Sequence, residues 1–338
     1  MKLSIIIVNW NSAAYCAECL ASVYASGIQV PFEIIVIDNA SYDGCDKMLE
    51  RDYPSVVFIQ GKTNAGFAAA NNTAFTHAKG EVLCFLNPDT VILKTALQTL
   101  YDNLLGNPGA GAVGAMLYNK DGSPQTTCVL SFPTLVNQVL DVEWLRQRFP
   151  RAAVFGSRAV FSKQLAPQAV EALSGACIML NRQIFSAVGG FSEDYFMYAE
   201  DIDLCLKIRL MGHSIQFINE AEIIHFGGGS SRDPEKRLFG AVLLRESTYK
   251  LLRKFRGAAY ATLYRASLAG IGVFRVVLLL LCLPPAIILG RGPSILAALS
   301  RWLRLSGWAA GFLPLPMPST PRTFLAPHLS AVPGGEIA

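Results

Sequence analysis

Four short apolar runs near the start of the chain restrict its fold more than any other feature. LSIIIV (3–8), EIIVID (33–38), SVVFIQ (55–60) and EVLCFL (81–86) are rich in Ile and Val. None shows a polar face, so each reads as a strand covered on both sides. Helical stretches fall between them, near 12–26, 43–51 and 66–78. Strand–helix alternation predicts an α/β fold: a parallel sheet with helices on both faces. Ligands of such sheets bind outside the carboxyl ends of the strands. The residues there are polar: Asn9 and Asn11 after the first run, Asp38-Asn39 after the second, Asn87-Pro88-Asp89 after the fourth. Three strand ends are expected to meet at one polar crevice.

Several chemistries are excluded. The first turn, VNWNSAAY, has no glycine, whereas a dinucleotide loop needs G-x-G-x-x-G so that the backbone can approach a pyrophosphate. A P-loop, H-E-x-x-H and G-x-S-x-G are also missing from the sequence. Most of the eight cysteines sit in apolar runs, where Cys acts as a small hydrophobe. Cys16 and Cys19 form a C-x-x-C with no second pair at zinc spacing, and packing in a helix is the expected role. The run Leu3–Val8 is too short for a secretory signal and ends at Asn9 without a cleavage site, so a reducing cytoplasm is expected.

Segment 121–173 is irregular. Beyond it, SGACIML (174–180) is a strand candidate, GGF (189–191) a turn, and a helix starts near 200 and closes at Gly212. SIQFIN and EIIHF read as two short strands, and HFGGGSSRD as a mobile loop.

Within this frame a few side chains could carry chemistry. Asp38 could accept hydrogen bonds from a base or ribose, or simply cap a turn. Pro88 stops a strand ladder and aims Asp89 at the crevice, where a carboxylate suits a hard divalent cation, although an Asx turn is the plainer reading. Glu200, Asp201 and Asp203 cluster at a helix start. Capping and the macrodipole account for one or two of them, and one could be a general base. His225 ends an apolar strand, either as a packed residue or as a ligand for a borderline ion such as Mn²⁺.

Taken together, eight motifs resemble a known family. VNWN, IDNAS (37–41), NAGFAAANN (64–72), LNPDT (86–90), SGAC (174–177), GGF, YAEDIDLC (198–205) and IIHFGG (223–228) occur in the order seen in the inverting glycosyltransferase family 2, especially its rhamnosyltransferase-like branch. The resemblance covers about residues 3 to 232. It implies a GT-A fold, a nucleotide-sugar donor and a divalent metal, Mn²⁺ or Mg²⁺. By the same resemblance, Asp38 would contact the nucleotide base, with Asn9 and Asn64 through Gly66 nearby. Asp89 matches the metal-binding end of the family's D-x-D, and His225 a further metal or diphosphate contact. Asp201 matches the catalytic base, supported by Glu200 and Asp203, while Gly175 and Ala176 would line the donor or acceptor pocket. Three positions depart from the branch: Asn87 replaces the first carboxylate of D-x-D, Lys207 stands where Arg is common, and Ser192 where Asp is usual.

Charge divides the chain. From Ser247 onward there are ten Lys/Arg against Glu336 alone, a net +9, while residues 1–246 carry −5. That tail is also apolar. Its most apolar uncharged run, Val276–Gly290, has 15 residues interrupted by Pro284-Pro285, short of the ~20 a span needs. An interfacial or re-entrant helical hairpin is therefore favoured over a single span, with SILAALSRWLRL (294–305) as an amphipathic helix. Basic apolar segments suit anionic lipid. The expected organisation is a catalytic domain over 1–245, a helical membrane-association segment over 246–312 and a disordered tail over 313–338.

The activity expected is transfer of a sugar, L-rhamnose from dTDP-rhamnose, to a glycan or polyprenyl-linked acceptor at the cytoplasmic face of the membrane. No nucleic-acid partner is expected. The alternatives are a UDP-hexose donor, or a silent sugar-nucleotide-binding scaffold at a membrane.

Overall fold

The computed structural model describes residues 1–140, 167–227 and 234–313, with a few isolated positions between 141 and 166. Strands β1 (Leu3–Asn9), β2 (Phe32–Asp38), β3 (Val57–Gln60) and β4 (Val82–Leu86) form as the apolar runs predict. Helices α1 (Ala13–Ala25), α2 (Cys45–Asp52) and α3 (Phe67–Phe75) connect them. Next come β5 (Thr90–Ile92), α4 (Ala96–Gly106), β6 (Ala110–Tyr118), β7 (Val129–Leu130), α5 (Leu135–Val139), β8 (Gln168–Val170), β9 (Ala172–Leu173) and β10 (Cys177–Asn181). They are followed by α6 (Arg182–Ala187), α7 (Glu200–Leu210), β11 (Ser214–His225), α8 (Pro234–Arg256), α9 (Ala258–Ile288) and α10 (Gly292–Ala309).

The main sheet runs β3-β2-β1-β4-β10-β6-β11-β5, with β8 also paired to β11. Its first four strands are parallel. The rest is mixed, which corrects the expectation of a parallel sheet: β10 runs antiparallel to β4 and β6, and β5 antiparallel to β11. A continuous apolar run signals burial but carries no direction, so SGACIML could not disclose its orientation. SIQFIN and EIIHF form one strand, whose pairing with β6 shifts register between Ile218 and Glu222. β3 sits at the sheet edge and is partly exposed, unlike the buried strand expected of SVVFIQ.

Strand register builds the crevice. Asn9 lies opposite Asp38 at the ends of β1 and β2. Ile7 pairs with Leu86, so Asn87 emerges beside Val8. Cys177 pairs with Leu86, which brings Ala176 alongside Asn87, and the Asn87 N–H donates to the Ala176 carbonyl at 2.9 Å. His225 pairs with Thr90 and so reaches Asp89. Beneath this rim lies an apolar core that includes Phe85, Phe185 and Phe191, with ring centroids 4.8 to 5.5 Å apart.

Seven of the eight cysteines are buried, and all are free thiols. Burial pushes the Cys19 thiol up to about 12, as befits packing rather than reactivity.

The C-terminal helices differ from expectation at Pro284-Pro285. The helix continues through both prolines and reaches 31 residues. Each proline removes one backbone bond, but α10 packs along α9 and holds it: a Cβ on Gly272 would lie 2.0 Å from Ser306 Oγ, so the two backbones cross closely. Trp308 Nε1 donates to Glu246 Oε2 at 3.0 Å and ties the hairpin to α8. α8 itself spans the expected boundary at residue 245. Residues 228–233 of the expected glycine loop, and the tail from 314, lie outside the described residues.

Candidate active site

The end of the crevice at β1 and β2 is a polar network centred on Asp38. Asp38 is 1% exposed. Its Oδ2 accepts from the Ser41 and Tyr42 N–H groups at 3.0 Å and from Gln60 Nε2 at 2.8 Å. Its Oδ1 accepts from Asn9 Nδ2 at 2.9 Å and from the Ser41 hydroxyl. Asn9 Nδ2 also reaches Asp43, whose Oδ2 accepts from the Ala13 N–H at 2.8 Å and so caps α1. Asn39 Nδ2 donates to Asn64 Oδ1 at 2.8 Å, and that oxygen also accepts from the Gly66 N–H. Gly66 has φ +86°, and a Cβ there would lie 2.3 Å from the Phe196 carbonyl, so only glycine fits. Ser41, Asp43 and Gln60 escaped the sequence reading. The second acid of IDNASYD was the only hint of them.

A second polar corner lies at the other side of Asn87. Asp89 Oδ1 is 3.3 Å from His225 Nε2, and Asn87 Nδ2 is 3.4 Å from the same ring nitrogen. Among the described residues Asn87 Oδ1 is buried without a hydrogen-bond partner. A carboxylate and an imidazole this close, beside an unpartnered amide oxygen, suit a hard or borderline divalent ion. No third His, Cys, Asp or Glu joins them among the described residues. Gln125 stands behind His225, with Oε1 3.0 Å from Nδ1. It lies in the irregular segment, where sequence gave no signal for it.

At the start of α7 the acids have separate settings. Tyr198 (φ 69°) and Ala199 (φ 66°) are both left-handed without being glycine. Asn11, Ala40 and Tyr42 also have positive φ, so strained backbone gathers around the strand ends, as functional sites often allow. Asp201 Oδ2 accepts from the Gly175 N–H at 2.9 Å and Oδ1 from the Ile202 N–H at 2.8 Å. Burial raises its proton affinity against those two bonds. Glu200 is 5% exposed, and its Oε2 has no partner among the described residues. Burial, then the Asp201 charge, pushes its carboxyl well above the usual range. The two titrate as a pair, and the N–H bonds at Asp201 favour holding the proton on Glu200.

Asp203 is fully buried and faces inward. It accepts from Ser192 Oγ at 2.5 Å, Tyr195 OH at 3.1 Å and Lys254 Nζ at 2.8 Å, with Lys207 Nζ at 3.4 Å. Two of the three departures from the family pattern, Ser192 and Lys207, thus meet at this carboxylate. Lys254 comes from α8, so Asp203 anchors the C-terminal helices to the helix that begins at Glu200.

Gly175 and Ala176 are the hinge of the site. The Gly175 N–H holds Asp201, and the Ala176 carbonyl holds Asn87. Ala176 is 2% exposed, so its methyl belongs to the core. Two consecutive residues therefore join the acid of α7 to the Asn-Pro-Asp corner.

The sequence model of Glycosyl transferase family 2 matches residues 4–188. The chain belongs to this family. It is a glycosyltransferase of GT-A type fold. Among curated proteins it is 28% identical over 255 residues to the N-acetylglucosaminyl-diphospho-decaprenol L-rhamnosyltransferase of Mycobacterium tuberculosis, covering 70% of this chain and 80% of the relative. It is 25% identical to rhamnosyltransferase WbbL of Escherichia coli, covering 75% of this chain and 93% of that one. Among solved structures it is similar in fold to the mannosyltransferase PcManGT from Pyrobaculum calidifontis, solved with GDP-Man and Mn²⁺. That match has a TM-score of 0.55 at 20% identity, covering 92% of this chain and 84% of the other.

Proposed function

We propose that this glycosyltransferase inverts the configuration of the sugar it transfers, taking L-rhamnose from dTDP-rhamnose to a hydroxyl of a glycan or polyprenyl-linked acceptor in cell-surface polysaccharide synthesis. The observation that carries the mechanism is the Gly175-Ala176 link, which sets Asp201 and the Asn87-Pro88-Asp89 corner at one crevice. Displacement with inversion needs a base on one face of the sugar and leaving-group stabilisation on the other. Asp201 is the base: its two N–H bonds orient the carboxylate, and burial raises its affinity for the acceptor's proton. Glu200 holds a neighbouring proton, and Asp203 fixes the helix from within.

Asp89 and His225 would hold a divalent ion, Mn²⁺ or Mg²⁺, which when bound neutralises the departing diphosphate. Asn9, Asp38, Asn64 and Gly66 shape the nucleotide end, with Asp38 presenting the loop 39–42 as a rigid edge to the base. Gly175 and Ala176 bring backbone to the sugar or acceptor. The rhamnosyl choice leans on the names of the two relatives, both rhamnosyltransferases over most of their length.

The C-terminal hairpin is proposed to bind the cytoplasmic face of the membrane. Helix α9 is long and apolar enough to cross a membrane by length and composition, and almost none of its most apolar stretch is buried. Phe274, Leu281 and Ile288 are exposed, which water alone would not favour. Arg291, Arg301 and Arg304 accompany this surface and suit anionic headgroups. An acceptor on a lipid carrier would then meet the crevice at the membrane.

Thermal shift with dTDP, UDP and GDP, each with and without Mn²⁺, tests the reading. Metal-dependent stabilisation by dTDP alone is expected. A preference for UDP would move the donor to a hexose, and no response to any nucleotide would favour a silent membrane scaffold.

A further inference from the structure

We infer that Gln125 is a positioning residue that fixes the tautomer of His225, leaving the Nε2 lone pair facing Asp89 for a divalent cation. This assignment rests on the metal reading of the Asp89–His225 corner and goes beyond it. The direction of each hydrogen bond follows from a chain that ends in an obligate acceptor. The Ser123 hydroxyl donates to the carboxylate of Asp121 at 2.5 Å. Hydroxyl oxygen Ser123 Oγ must therefore accept from Asn119 Nδ2, 2.9 Å away. That turns Asn119 Oδ1 toward Gln125 Nε2 at 3.1 Å, and the same amide nitrogen donates to the His225 carbonyl at 2.6 Å. Both amide protons of Gln125 thus have acceptors, and Oε1 is left to face His225 Nδ1 at 3.0 Å. An amide oxygen can only accept, so Nδ1 carries the proton.

In the neutral ring Nε2 then carries the lone pair, 3.3 Å from Asp89 Oδ1 and 3.4 Å from Asn87 Nδ2. Two acceptors held in contact repel unless a cation or a proton lies between them. Metal-binding histidines need their second ring nitrogen held in this way, and loss of such a partner lowers metal affinity by about 10–100-fold. Gln125 is 9% exposed and grips both the ring and the backbone of His225, so ring orientation and tautomer are set together.

The test has two readouts. Nitrogen-15 NMR of the metal-free protein at about pH 8.5, where imidazole is neutral, should show His225 protonated on Nδ1. Titration with Mn²⁺ in the presence of dTDP, followed by electron paramagnetic resonance, should show roughly 10–100-fold weaker binding in Gln125→Leu. Gln125→Glu keeps an acceptor for Nδ1–H and should retain that tautomer, while losing the Nε2 donors to the His225 carbonyl and Asn119 Oδ1. A role in folding alone would leave the tautomer unchanged in Gln125→Leu. An Nε2-protonated ring in the parent protein, or equal Mn²⁺ affinity in Gln125→Leu, would overturn the assignment. Failure of the parent to bind Mn²⁺, with the Nδ1 tautomer present and lost in Gln125→Leu, would overturn the metal reading and uphold the positioning of His225.

Discussion

Asp38 and Asp201 stand at the rim of the same sheet and are held in opposite ways. Asp38 is sealed in, its two oxygens occupied by Asn9, Ser41, Tyr42 and Gln60. Asp201 has two backbone donors, a buried acid beside it and a proton affinity raised by burial. A carboxylate whose lone pairs are all engaged fixes architecture. One that is ordered but left hungry for a proton can act as a base.

The sharpest break in that contrast is Asp201→Asn. Transfer should fall by about 10²–10⁴-fold, while dTDP binding and melting temperature stay near the parent values. Initial rates beside thermal shift check this, and joint loss of binding and rate would give Asp201 a structural role instead. Asp38→Ala should do the reverse. Each buried donor left unpaired costs about 1–3 kcal/mol, so the denaturant midpoint should drop by an amount equivalent to several kcal/mol. Intact stability with lost nucleotide binding would make Asp38 a direct ligand contact.

A smaller effect is expected from Lys254→Met, which cuts the tie between α8 and the fully buried Asp203. Lys254 is 36% exposed, so solvent screens the pair and about 1 kcal/mol is the expected loss. Chemical denaturation measures it, and a larger drop would show that the C-terminal helices support the helix that begins at Glu200.

Glu200→Gln tests the finest distinction. Because its folded proton affinity is raised, Glu200 contributes stability below the ordinary carboxylate range that is lost as pH rises through the folded value. The substitution should flatten the fall in melting temperature between mildly acidic and neutral pH. The ascending limb of the pH–rate profile should stay in place, since Glu200 is held protonated while Asp201 titrates. A limb moved to lower pH would show that Glu200 is charged when Asp201 loses its proton.

Much of this site was legible in local sequence. Asn9, Asp38 and Asp89 follow apolar runs, and a strand end in an α/β sheet is where ligands bind. Glu200, Asp201 and Asp203 stood out as more acids than a helix start requires. Gln125, Asp43, Gln60 and Lys254 did not stand out, because their roles come from partners 22 to 100 residues away. No local period marks such a pairing. The reading of Pro284-Pro285 as a break went wrong for a related reason, since propensity speaks for one helix and packing against a neighbour overrides it.

By itself the sequence determined burial and alternation: which runs become strands, where helices lie between them, and which ends are polar. Those follow from the cost of leaving apolar surface and backbone polar groups in the wrong solvent, which each segment meets locally. Tertiary structure alone decided direction, register and which polar groups meet. The antiparallel turn of β10 placed Gly175 on Asp201 and Ala176 on Asn87, and β11 delivered His225 to Asp89 with Gln125 against its other ring nitrogen. These are long-range hydrogen bonds, and their geometry exists only once distant segments share one sheet.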